Sequence, residues 1–316
     1  MNNSPLVSIC MPVHNAEDYL AFALDSVFSQ TYQNYEVICV DDGSSDDSLG
    51  ILRDYGERVS IIESTNKGAP HARNLAFQHS KGDVIQFFDA DDILAPEKIE
   101  RQLTIMKRSG ADLVFCNKRV LRANDTLTDL SSLPPIDGLD PFLYCLRYNL
   151  PGGRAAIDTE VPLHRREILQ RIGGFRLGVA RAQDKDLALR LAAAGARFEY
   201  LDEILVTCRD HDGPRISNLV KSPRFHVDYF VSLIDTLLDD SLYDLPLTRR
   251  KELSIVLSRF SKYAYRCGDR DGAKDGFLAA AELCDYSDPQ EGVLYSVLQK
   301  IIGYSSVERL RQLTHR

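Results

Sequence analysis

The stretch Val84-Ile85-Gln86-Phe87-Phe88-Asp89-Ala90-Asp91-Asp92 runs from mostly apolar residues straight into three carboxylates. The apolar part reads as a buried strand, which puts the acids where that strand ends. Carboxylates this close repel one another and are costly to keep charged unless water or a cation compensates. A divalent metal holding an anionic substrate is one compensation; a solvated turn whose Asp caps the following helix is the other. A second acidic stretch, Asp41-Asp42-Gly43-Ser44, follows the apolar run Tyr35 to Val40. A third, Gln183-Asp184-Lys185-Asp186, stands before Leu187, Leu189 and Leu191, where Asp184 reads as a helix cap or as a base at the mouth of a pocket.

The elements that must position these acids come from periodicity. Strands are expected at Leu6 to Val13, Tyr35 to Val40, Val59 to Ile62, Val84 to Phe88 and Asp112 to Cys116. Between them Leu20, Ala23, Leu24, Val27 and Phe28 mark one helix, with Asn15 as its N-cap and Asp18 in its first turn. Leu49, Leu52 and Tyr55 mark a second. Asn66 to Asn74 reads as a polar loop leading to a third helix through Leu75, Ala76 and Phe77, and Pro96 opens a fourth through Ile99, Leu103 and Met106. Strand and helix alternate, so the fold class is α/β, a largely parallel sheet flanked by helices. Ligands of such sheets lie beyond the carboxyl ends of the strands, where both Asp41-Asp42 and Asp89-Ala90-Asp91 fall.

Further on, Lys118 to Pro135 reads as a connector or small hairpin, Pro141 to Tyr148 as a short helix, Arg154 to Val161 as a strand and Arg165 to Arg171 as a helix. Phe198 to Leu201 and Ile204 to Cys208 read as two strands, followed by the polar Arg209-Asp210-His211. After Asn218 helical spacing takes over, giving an expected division into residues 1–218 and an all-α region, 219–316. Cys267 to Ala281 resembles the turn and second helix of a single tetratricopeptide unit. Ile301 to Arg316 reads either as a helix packed on its own domain or as a membrane-surface helix.

Composition narrows the function. A net charge of −8 argues against general nucleic-acid binding. Seven cysteines without a C-x-x-C pair suggest reduced, mostly buried thiols in a cytosolic protein. The first ten residues lack the features of a secretory signal, and no apolar run is long enough to span a bilayer. No G-x-G-x-x-G follows the first strand, which argues against a dinucleotide-dependent dehydrogenase.

Nine short motifs then fall in order: Pro12-Val13-His14-Asn15, Gln30-Thr31-Tyr32, Asp41-Asp42-Gly43-Ser44, Asn66-x-Gly68, Ala72-Arg73-Asn74, Asp89-Ala90-Asp91-Asp92, Gly173-Gly174-Phe175, Asp184-x-Asp186-Leu187 and Arg209-x-His211. The order resembles the family 2 glycosyltransferases, inverting enzymes of the GT-A fold, over roughly Leu6 to Asn218. The resemblance implies a nucleoside diphosphate sugar donor, UDP-linked above all, and a hydroxyl acceptor in cell-surface polysaccharide or glycoconjugate synthesis. It implies that Asp42 meets the nucleobase beside Pro12 and Val13, with Asn15 and Ala90 lining the donor pocket. Asp41 supports that turn or contacts the ribose, and Lys67 and Arg73 lie near the diphosphate or ribose. Asp91 binds Mn²⁺ or Mg²⁺ directly, Asp89 contacts ribose or metal-bound water, and Asp184 matches the catalytic base, with Asp186 orienting the site. His211 is a candidate metal ligand beside Arg209. His14, His71 and His164 are assigned at most pocket lining; Arg154, Arg165 and Arg176 read as surface charges.

Two departures stand out. Gln183 replaces the Glu that many relatives carry before the base, and Ala188 stands where relatives often carry Trp. The Gln-x-x-Arg-Trp motif of processive synthases is missing, which points to transfer of one sugar at a time. The implied setting is the cytoplasm, with peripheral contact to the inner membrane face through the C-terminal helices. The competing readings are a nucleotidyltransferase or a retaining transferase on a similar sheet, and a non-catalytic nucleotide-sugar-binding scaffold.

Overall fold

The computed structural model describes residues 4–130, 139–148, 157–210 and 222–283. The chain divides into two compact units, Met1–Pro214 and Arg215–Arg316.

The first unit is built on one nine-stranded sheet. Its strands are β1 (Val7–Val13), β2 (Tyr35–Asp41), β3 (Ser60–Glu63), β4 (Val84–Phe87), β5 (Ile93–Leu94), β6 (Leu113–Leu121), β7 (Leu127–Leu130), β8 (Leu163–Arg165) and β9 (Phe198–Arg209). They run in the order β3-β2-β1-β4-β8-β6-β9-β5, with β7 paired to β6 as a hairpin. β3, β2, β1 and β4 are mutually parallel, as are β6 and β9; β8 is antiparallel to both of its neighbours. Val7, Ile9, Cys10, Met11 and Val13 are fully buried, as a central parallel strand covered on both faces requires.

The flanking helices are α1 (Leu20–Phe28), α2 (Ser48–Asp54), α3 (Ala69–His79), α4 (Lys98–Ser109), α5 (Pro141–Tyr148), α6 (Arg166–Arg171) and α7 (Gln183–Ala193). Of the residues expected on the apolar face of α1, Leu20, Ala23, Leu24 and Val27 are fully buried and Phe28 is half-buried. Gly110, at φ 71°, ends α4 in the left-handed conformation that glycine adopts without strain.

Several local expectations are corrected. Asn15 does not cap α1: it lies at φ 51° and its Oδ1 accepts from the Ser45 N–H instead. α3 starts at Ala69, so Arg73 and Asn74 are helical rather than in a loop. α4 starts two residues after Pro96. Residues 157–161 are not a strand; the strand is β8, three residues long. β9 is one strand whose register against β6 shifts on either side of Asn117. Asp184 lies inside the first turn of α7, and Ala182, at φ 57°, holds the N-cap position. Arg154 and the segment Ile301–Arg316 lie outside the described residues.

The second unit contains α8 (Pro223–Asp239), α9 (Leu247–Arg266) and α10 (Arg270–Glu282). Asp269 caps α10 through the Gly272 N–H, 2.8 Å away. Gly276 lets helices approach closely, since a Cβ there would meet Val227 Cγ1 at 2.8 Å. Among the described residues no helix is long and apolar enough to cross a membrane.

Candidate active site

At the carboxyl ends of β1 and β2 the chain builds a polar corner. The Asp42 N–H donates to the Val13 carbonyl at 2.8 Å, which ties the two strand ends together. Asn15 clamps the next loop: its N–H donates to Ser44 Oγ at 3.1 Å and its Oδ1 accepts from the Ser45 N–H at 2.7 Å. The Asp42 carboxylate accepts the backbone N–H groups of Lys67 (3.0 Å) and Gly68 (2.7 Å) just ahead of α3. Burial opposes ionisation of Asp42, but these bonds and Ser64 outweigh it and hold the carboxyl below its ordinary range. Gly68 sits at φ 90°, which suits a residue without a Cβ. Asp41 is buried, with its Oδ1 unpartnered. The Lys67 side chain is exposed beside this corner.

The acidic turn follows β4. Asp89 is held by Arg73 Nη2 at 2.6 Å, while Arg73 Nη1 donates to Gln183 Oε1 at 2.8 Å. Arg73 is only 4% exposed, and its guanidinium lies 5.3 Å from the centre of the Phe175 ring. One buried cation therefore joins the Asp-x-Asp turn to the residue before Asp184. This places the acidic turn and the start of α7 in one neighbourhood.

Within α7 the two aspartates differ. Asp186 is 1% exposed and bound by Arg176 and Arg190, both at 2.8 Å. Arg190 also donates to the carbonyls of Ile172 and Gly174, bracing the Gly173-Gly174-Phe175 turn. Arg176 is thus no surface charge, and neither is Arg165, which donates to the Ala111 carbonyl at 2.8 Å. Asp184 instead faces a small pocket lined by Asp158, Thr159, His164, Leu187 and Ala188.

A second acidic group is buried in the same unit. Asp92, Glu160 and Cys208 bring ligand atoms within 4.8 Å of one another. Burial, then Glu160, Asp91 and Asp89, push the Asp92 carboxyl well above its ordinary range, although the Arg209 N–H donates to it at 3.0 Å. Burial and Glu160 raise the Cys208 thiol. Lys118 supplies a cation here, touching Asp158 and lying 3.6 Å from Glu160. The Arg209 guanidinium packs over Phe22 and Tyr19. His211 lies outside the described residues.

Lys118, Asp158 and Glu160 escape a reading of the sequence, because nothing local distinguishes them and only the β6–β8–β9 pairing gathers them. The hydroxyl-poor, carboxylate-rich turn fits a hard divalent cation. Asp91 and Asp89 help to raise the proton affinity of Asp92, Arg73 pairs with Asp89, and carboxylate oxygens are the ligands such ions take.

An uncharacterized glycosyltransferase of Haemophilus influenzae is 45% identical over 108 residues, 33% of this chain and 43% of that protein, so the match spans less than half of that relative. The crystal structure of S. aureus TarS 1-349 in complex with UDP-GlcNAc superposes with a TM-score of 0.72 at 19% identity, covering 98% of this chain and 92% of that one. A Pyrobaculum calidifontis mannosyltransferase in complex with GDP-Man and Mn²⁺ superposes with a TM-score of 0.56 at 19% identity, over 99% and 84% of the two chains. At such identities these structures establish the shared GT-A fold. The model of glycosyl transferase family 2 matches residues 8–171, from the first strand through α6, and the chain belongs to that family.

Proposed function

We propose that the protein is an inverting, metal-dependent glycosyltransferase. It moves one sugar from a nucleoside diphosphate sugar, UDP-linked, to a hydroxyl of a glycan or polymer acceptor in cell-surface polysaccharide synthesis. The observation that supports the reading is Arg73, which holds Asp89 and Gln183 on one guanidinium and so brings the acidic turn next to the residue before Asp184.

In this reading Asp42, Val13, Pro12 and Asn15 form the nucleoside corner, with Lys67 at its exposed rim and Ala90 beside the sugar. Asp91 holds Mn²⁺ or Mg²⁺, which when bound supplies neutralising charge to the departing diphosphate. The acceptor oxygen attacks the anomeric carbon on the face opposite the diphosphate. Its proton passes to an Asp184 carboxylate oxygen, a carbon–oxygen bond forms, and the old one breaks with its electron pair leaving on the diphosphate. Asp186 cannot serve, because Arg176 and Arg190 occupy it. The UDP-GlcNAc bound by TarS and the GDP-Man and Mn²⁺ bound by the archaeal enzyme support a sugar-nucleotide donor and a metal.

The test is a panel of nucleotide sugars with Mn²⁺, scored by thermal shift and by diphosphate release. One donor should raise the melting temperature and turn over. Asp184→Asn should keep donor binding and lose transfer by about 10²–10⁴-fold, the range expected for a positioned base. Wild-type turnover in that variant would favour a retaining transferase or nucleotidyltransferase. Binding without turnover for every acceptor would favour the scaffold reading.

A further inference from the structure

Charge is sorted by helix in the second unit. On α8 the exposed side carries Asp228, Ser232, Asp235 and Asp239, at intervals of four, three and four residues. The same intervals on α9 give Ile255, Arg259, Lys262 and Arg266, all exposed. Residues so spaced are neighbours along one side of a helix. α10 exposes both signs, Arg270 and Lys274 beside Asp271 and Asp275. From Leu253 to Gly268 the chain has neither Asp nor Glu, although its net charge is −8. Among the described residues Arg259, Lys262 and Arg266 take part in no ion pair.

The opposite side of α9 is fixed inward. Leu253, Val256, Leu257, Phe260 and Ala264 are buried. Phe260 stacks on Phe230 of α8 with ring centres 5.4 Å apart, and Ser254 Oγ donates to the Ala280 carbonyl of α10 at 2.9 Å. α9 therefore cannot roll its cations under. Large apolar and aromatic side chains border the basic strip: Ile255 is 45% exposed, Tyr263 49% and Tyr265 46%. A tyrosine ring with a polar tip suits a boundary between an apolar and a wet layer. Lysine and arginine at such a boundary lay their stems along the apolar side and keep their charged heads in water.

Charge decides between occupants of this face. A second copy meeting it isologously would set cation against cation. A copy offering its α8 side would bring carboxylates, with no apolar layer for the tyrosines. Residues 301–316 hold three arginines and one glutamate, the wrong sign to cover the strip. The face asks for a partner that is anionic at its surface and apolar just beneath. We propose that the exposed side of α9 docks on an anionic phospholipid membrane, with Arg259, Lys262 and Arg266 at the lipid phosphates and Ile255, Tyr263 and Tyr265 in the headgroup layer.

The test is co-sedimentation of the full-length protein with vesicles of phosphatidylcholine alone, or of equimolar phosphatidylcholine and phosphatidylglycerol. The protein should pellet with the mixed vesicles, stay in solution with the neutral ones, and be released as salt rises from about 0.05 to 0.5 M and the Debye length shortens. One cation near such a surface contributes about fivefold to binding, so Arg259→Gln, Lys262→Gln and Arg266→Gln together should weaken it about a hundredfold. Tyr263→Ser with Tyr265→Ser should weaken binding while leaving its salt dependence as in the wild type. Asp235→Asn, on α8, should not weaken it. Every substituted side chain is exposed, so all the variants should melt with the wild type. Equal pelleting with neutral vesicles, no pelleting with either, or undiminished binding by the triple variant overturns the proposal. So does binding of inorganic polyphosphate, or salt-sensitive self-association in light scattering, without pelleting on mixed vesicles; those results would assign the strip to a soluble polyanion or to a second copy.

Discussion

Replacing His164 with leucine should remove most of the sensitivity of the sheet to mild acid. His164 sits on the short strand β8, 1% exposed, with its ring edge-on to Phe87 at 5.9 Å and neither ring nitrogen hydrogen-bonded. Burial, reinforced by the buried ammonium of Lys98, pushes its pKa down from 6.5 to about 3. The unfolded chain therefore binds a proton below pH 6.5 that the folded chain refuses until about pH 3, and stability falls with pH across that window. Taken over the whole window the loss is roughly 5 kcal/mol; between pH 7 and pH 5 it is about 2 kcal/mol. Leucine is close in volume and has no nitrogen to leave unpaired. Urea unfolding followed by circular dichroism at pH 7, 6 and 5 should thus show the wild type losing about 2 kcal/mol more than His164→Leu. Parallel pH dependences in the two proteins would refute the assignment of a neutral, unsolvated imidazole at this position.

Other outcomes follow from the same geometry. Arg73→Met leaves Asp89 and Gln183 without their shared partner; it should cost about 3 kcal/mol of stability and weaken Mn²⁺-dependent UDP binding together, read by melting and by calorimetry. Asp42→Asn presents an amide hydrogen to one of the Lys67 and Gly68 donors, and should weaken UDP binding by about tenfold or more. Because its carboxyl is held low, Asp42 stabilises the fold above its unfolded value near 4, and that contribution is lost as pH falls through the folded value. The asparagine variant should therefore unfold with less dependence on acid. Gly174→Ala sets a Cβ 2.6 Å from Asn74 Oδ1 at φ 71°, and should destabilise by about 1–3 kcal/mol in urea titrations, displacing the Asn74–Phe175 bonds.

What the sequence discloses and what it hides divide along a physical line. The apolar runs of β1, β2 and β4, the helical stripe of α1 and the acids at strand ends are local patterns, and they read correctly. β8 is invisible because three residues, Leu163–Arg165, carry no period, yet it occupies the centre of the sheet between β4 and β6. The start of α3 hides in polar residues because Gly68 turns the chain at a positive φ and Pro70 fits the first turn. Arg165 and Arg176 read as surface charges because charge usually means solvent; Arg165 instead donates to the Ala111 carbonyl and Arg176 binds the buried Asp186. Lys118 and Glu160 become neighbours only through pairing of strands that a single sequence does not register.

A single guanidinium on α3 grips groups 16 and 110 residues away along the chain. It works as a rivet through two plates, the acidic turn after β4 and the first turn of α7, with the centre of the Phe175 ring 5.3 Å away. Under the proposed function those plates carry the leaving group and the proton's destination, so one side chain holds the separation between them.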